Sequence, residues 1–110
     1  MRFPRWVYAI YPLDENGNIT GVYVGSSATP HDRVKRHCYS IHDDKQFELH
    51  SLMRRNGYYY CLLEKITEWD QRVNEYLWIR HYMEKGMKVY NILTDCHEGK
   101  KILYERIPGL

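Results

Sequence analysis

The chain has 110 residues, room for one domain of ordinary size and not for a second. It is 44% apolar and 27% charged, a globular rather than a disordered mix, and its net charge of +2 leans only weakly toward nucleic acid. No run of about eighteen apolar residues offers a membrane span, and the opening residues lack the apolar core and cleavage site of a signal peptide, so a cytoplasmic location is expected.

Residues 5–12 are rich in β-formers and stop at Pro12, which predicts a strand. The polar stretch from Asp14 to Asn18 contains Asn16-Gly17, a hairpin signal, and residues 19–25 read as the returning strand. Thr29-Pro30-His31-Asp32 is a helix start, with Thr29 as N-cap, proline at the first helical position and an acid at the positive end of the dipole. Behind it, Val34, Cys38 and Ile41 fall on one apolar stripe, and Arg33 and His37 share an adjacent face. Residues 45–56 predict a second helix with Phe47, Leu49, Leu52 and Met53 inward and Gly57 closing it.

The run from Tyr58 to Ile66 reads as a central strand, and a third helix is expected from about Asp70 to Lys85 with Val73, Leu77, Ile79 and Met83 in its stripe. Val89 to Leu93 follows, and Ile102-Leu103-Tyr104 is a candidate edge strand. The expected architecture is an α/β (α+β) sandwich of order ββααβα, with helices flanking a small three-stranded antiparallel sheet.

Cys38, Cys61 and Cys96 form no C-x-x-C pair, so buried free thiols are expected rather than a disulfide frame or a zinc knuckle. His31, His42, His50, His81 and His97 read as surface or structural side chains, because their spacing places no metal triad on one helix. Tyr58, Tyr59 and Tyr60 read as strand formers, with stacking on unpaired bases as the alternative.

Five fragments stand at informative distances: Val7-Tyr8-Ala9-Ile10, Tyr23-Val24-Gly25-Ser26-Ser27, Arg33 through His37, Glu75-Tyr76-Leu77-Trp78-Ile79, and Tyr90-Asn91-Ile92. Each alone is weak. In register, including the ten-residue gap from Tyr23 to Arg33, they resemble the GIY-YIG nuclease family over residues 6–93, with a short tail at 94–110. Val24-Gly25-Ser26-Ser27 resembles the homing-endonuclease branch more than the repair branch.

The resemblance implies a hydrolase, a DNA endonuclease that cleaves phosphodiester bonds with one divalent ion, Mg²⁺ with Mn²⁺ as a substitute. Glu75 would anchor the metal. Arg33 is suited to clamp the phosphate, since its planar fork keeps its charge and holds two oxygens. Tyr8 and Tyr23 match the motif tyrosines, one of which would deprotonate water once its phenol is made more acidic by the metal and Arg33. His37 would relay a proton or bond a phosphate oxygen, and Asn91 would support the site. Lys35, Arg36, Arg54 and Arg55 are candidate DNA-binding residues, with a solvated face as the plain alternative.

One departure stands out: Trp6-Val7-Tyr8 replaces Gly-Ile-Tyr, and local repacking is expected to absorb the indole. With no targeting module in these residues, site choice would come from DNA structure, from a homodimer or from a separate targeting protein, in a bacterial cell or phage-infected host. The alternative reading is a catalytically silent DNA-binding or adaptor module on the same fold.

Overall fold

The computed structural model describes residues 4–39, 47–66 and 71–91. Their elements run β1 (Arg5–Pro12), β2 (Tyr23–Ser27), α1 (Pro30–Tyr39), α2 (Phe47–Asn56), β3 (Tyr58–Ile66) and α3 (Gln71–Glu84). The three strands form one antiparallel sheet in the order β2-β1-β3, and helices cover it, as the sequence predicts for an α+β protein.

β1 is the centre. Val7, Ala9, Tyr8 and Ile10 are all buried, and because successive side chains point to opposite faces they feed two separate cores. Tyr8 and Ile10 pack with Val34 of α1 and Leu49 and Met53 of α2. Val7 and Ala9 pack with Val22, Val24, Ile79 and Tyr82 on the α3 side.

The run Tyr58–Ile66 is therefore an edge strand, not the central one. An unbroken aromatic and aliphatic run reads as covered on both faces, yet Tyr59 is 60% exposed and Tyr60 and Leu62 are exposed as well. Cys61 on this strand is exposed rather than buried, and Cys38 is half-buried. The β1–β3 register shifts between Val7 and Tyr8, where Tyr8 faces Leu62, Val7 faces Glu64, and Leu63 is the extra residue. The bulge brings Glu64 to the α3 side, where Asn74 Nδ2 and Trp78 Nε1 both donate to its Oε1 at 2.9 Å.

β2 starts four residues later than predicted. Residues 19–22 leave the β1 ladder, apart from a single Leu13–Ile19 bridge, because Val22 pairs in parallel with Val89. The Val22 N–H donates to the Lys88 carbonyl and the Tyr90 N–H to the Val22 carbonyl, each at 2.9 Å. Gly21 permits that approach, since a Cβ there would stand 2.6 Å from the Lys88 carbonyl oxygen.

α1 opens after Thr29, and α2 and α3 close at glycines. The Thr29 carbonyl accepts from the Arg33 N–H, and Gly57 and Gly86 close α2 and α3 with φ of 86° and 80°, where other residues are strained. The α3 stripe differs from expectation: Val73 and Ile79 are buried, but Leu77 and Met83 are 44% and 53% exposed. Asn74 and Tyr82 take the inward places because both have partners there, Asn74 on Glu64 and Tyr82 on the Tyr11 hydroxyl at 2.7 Å. Among the described residues, no helix is long and apolar enough to cross a membrane. The Phe47 side chain, Ile41, His42, Ile92, Cys96, His97 and the candidate strand at 102–104 lie outside the described residues.

Candidate active site

Strand and helix spacing bring Tyr8, Tyr23 and His37 together on one face of the sheet. Tyr8 and Tyr23 lie on neighbouring strands and on the same face, because Tyr8 pairs with Gly25 and Ile10 with Tyr23. α1 crosses that face and lowers His37 onto both. The Tyr8 hydroxyl and His37 Nε2 are hydrogen-bonded at 3.0 Å, and the Tyr23 and His37 rings meet edge to face at 4.9 Å between centroids. His37 was expected on a face beside the apolar stripe, and it is buried at 4% exposure.

Behind His37 stands a residue that motif spacing had left aside. His50 of α2 is 2% exposed, and its Nε2 lies 3.1 Å from His37 Nδ1. A signal for it was present: Leu49, His50 and Met53 sit at i, i+1 and i+4, so His50 shares the helix's inward face.

The neighbourhood of Tyr8 is both buried and charged. Burial pushes the phenol up to about 12, the Arg33 guanidinium beside it pulls the other way, and the Glu75 carboxylate raises it again. In the protein alone, desolvation outweighs the arginine, so the Tyr8 phenol is less acidic than a free tyrosine. Arg33 itself is exposed at the helix surface, so it reaches both Tyr8 and solvent.

Glu75 comes from the opposite layer. Ser26 points to the α3 side of β2, and its hydroxyl donates to Glu75 Oε1 at 2.6 Å. Asn91 sits against the same strand, accepting from the Val24 N–H at 2.9 Å and donating to the Val24 carbonyl at 2.7 Å. It thus fixes the main chain between Tyr23 and Gly25 and acts as a support. Gly25 is small for a reason: a Cβ there would meet the Tyr8 hydroxyl at 2.5 Å and its Cζ at 2.6 Å.

Trp6 is half-buried, opposite Ser27 on one side and Lys65 on the other, with the Lys65 ammonium 5.7 Å above its ring. Tyr8 keeps its bond to His37 beside this indole. Lys35 and Arg36 on α1 and Arg54 and Arg55 on α2 are all exposed. Among the described residues, no three His, Cys, Asp or Glu side chains gather into a metal cage. The groups at Glu75 and Ser26 are oxygens only, a donor chemistry that suits a hard, largely hydrated cation.

Comparison with known proteins gives no match to a family model, to a curated protein or to a solved structure.

Proposed function

We propose that the chain is a divalent-metal-dependent DNA endonuclease with the GIY-YIG fold. The observation that supports this most is the meeting of Tyr8, Tyr23 and His37 on one face of the sheet, with Arg33 and Glu75 within electrostatic reach of Tyr8. A proton acceptor, a guanidinium and a carboxylate in one place are the parts that phosphodiester hydrolysis needs.

In this reading Arg33 binds the non-bridging phosphate oxygens and neutralises the charge that grows as water attacks. Tyr8 rests as a neutral phenol: with its pKa near 12, roughly one molecule in 10⁵ carries phenolate at pH 7. It acts by taking a proton from the water while passing its own to His37 Nε2. Tyr23 holds the His37 ring and presents the second motif hydroxyl. A Mg²⁺ or Mn²⁺ ion held by Glu75, with Ser26 orienting the carboxylate, would supply Lewis-acid stabilisation of the leaving oxygen. Lys35, Arg36, Arg54 and Arg55 track the DNA backbone on the two helices, and a second copy or a targeting protein supplies site choice in a bacterial or phage-infected cytoplasm.

The test uses supercoiled plasmid and a branched DNA with Mg²⁺, Mn²⁺ or chelator. Wild type cuts with metal, whereas Glu75→Ala and Arg33→Ala each lose about 10²-fold or more. Wild type that leaves every DNA form intact with both ions defeats the proposal, and salt-sensitive binding without cutting would point to the adaptor module.

A further inference from the structure

His50 is a buried group next to this site that the proposed chemistry leaves without a role. Two buried imidazoles bonded to each other must divide their protons, one nitrogen donating and the other accepting. His37 is engaged at both ring nitrogens, Nε2 by Tyr8 and Nδ1 by His50, so the direction of the bond at one end sets the other.

The Tyr8 hydroxyl sets that direction. Its proton is buried and needs an acceptor; the Arg33 guanidinium in its neighbourhood has none to offer, and His37 Nε2 lies at 3.0 Å. The phenol proton therefore points at His37 Nε2. Nε2 then accepts, neutral His37 carries its proton on Nδ1, and that N–H donates to His50 Nε2.

We propose that His50 is a positioning residue that locks His37 in its Nδ1-protonated tautomer, leaving Nε2 free to receive the Tyr8 proton. Its use in cutting rests on the nuclease reading; the lock itself does not. In the step it serves, a water O–H proton moves to the Tyr8 oxygen as the Tyr8 proton moves to His37 Nε2. The resulting hydroxide forms a bond to phosphorus as the bond from phosphorus to the leaving oxygen breaks, its electron pair going to that oxygen. His37 becomes an imidazolium whose Nδ1–H is held by His50, a charge-assisted bond stronger than the neutral one it replaces. The proton returns through Tyr8 to solvent or to the leaving alkoxide, which restores both groups.

The experiment reads the histidine ring nitrogens of the full chain by ¹⁵N NMR and, in parallel, the cutting rate. In wild type, His37 Nδ1 is expected at the protonated-nitrogen position and Nε2 at the bare-nitrogen position. His50→Leu keeps most of the volume and removes the acceptor, so the two His37 signals average toward each other. His50→Gln offers Oε1 to the Nδ1 proton and restores the split. The cutting rate kcat falls about 10- to 10²-fold in His50→Leu with KM unchanged and recovers in His50→Gln. A His37 protonated on Nε2 in wild type overturns the proposal even if the leucine variant fails to fold, as does a tautomer that ignores His50→Leu. Because the nitrogen signals do not depend on cutting, a chain that cuts nothing still confirms or refutes the lock, and the two proposals fail separately.

Discussion

Gly25→Ala adds a single methyl group, and the structure says where it goes. The new Cβ would lie 2.5 Å from the Tyr8 hydroxyl, 2.6 Å from its Cζ and 3.0 Å from Cε2, so the ring must retreat by about 1 Å to reach ordinary contact. Tyr8 has little room to retreat, being 1% exposed, enclosed by Val34, Leu49 and Met53, and tied to His37. Overpacking of this kind costs about 1–3 kcal/mol, and loss of the buried Tyr8–His37 bond adds about 1 kcal/mol or more. Alanine's lower unfolded-state entropy works the other way, by about 0.4–1 kcal/mol, and does not offset these. A net loss near 2 kcal/mol lowers the melting temperature by about 8 °C in a chain of this size. The displaced phenol also predicts a fall in any activity that uses it, on the order of 10²-fold. Urea unfolding of Gly25→Ala, Tyr8→Leu and the double variant checks the cause. If the clash is with Tyr8, alanine costs little once leucine has replaced the ring. An equal cost in both backgrounds would refute the reasoning.

Other outcomes follow from single contacts. Asn91→Ala strips both hydrogen bonds from the buried Val24 main chain and should lower urea stability by about 1–3 kcal/mol. Glu64→Ala leaves the Asn74 amide and the Trp78 indole without their acceptor and costs about 1–3 kcal/mol, whereas Glu64→Gln keeps an oxygen there and costs less, both read from urea midpoints. At alkaline pH, folded Tyr8 holds a proton that the unfolded chain releases near pH 10, so stability falls as pH rises from about 10 toward 12. The Tyr8 share of the fall is about 2–3 kcal/mol, so unfolding measured across that range should show a shallower fall in Tyr8→Phe, which keeps the shares of Tyr11, Tyr58 and Tyr82.

The elements were legible where local chemistry decides them. Pro12 ended β1, Pro30 opened α1, and Gly57 and Gly86 closed their helices, because proline and glycine act through the backbone alone. What the sequence hid was decided by partners. Leu77 looked buried and Asn74 did not, yet Asn74 has Glu64 waiting across the bulge and Leu77 faces water. β3 looked central because periodicity reports apolar content and not neighbours, and tyrosine can bury its ring while its hydroxyl stays wet. The motif positions Tyr8, Tyr23, Arg33 and His37 were readable from spacing, whereas the inward helical position of His50 did not display the bond to His37 that lets a histidine be buried.

The site also explains why β2 matters more than its five residues suggest. Alternation along Tyr23–Ser27 sends Tyr23 and Gly25 to the α1 side and Ser26 to the α3 side, so one short strand joins two otherwise separate cores. Tyr8, Tyr23, His37 and His50 depend on the packing of α1 and α2. Glu75 depends on α3, and Asn91 pins the strand between them. A one-residue slip of β2 would exchange its faces, turning Ser26 toward Tyr8 and Gly25 toward Glu75. The Gly25–Tyr8 close approach and the paired Asn91–Val24 bonds oppose that slip from opposite sides of the strand. They hold the Tyr8–His37 pair on one face of the sheet and the Ser26–Glu75 contact on the other, the arrangement the proposed chemistry uses.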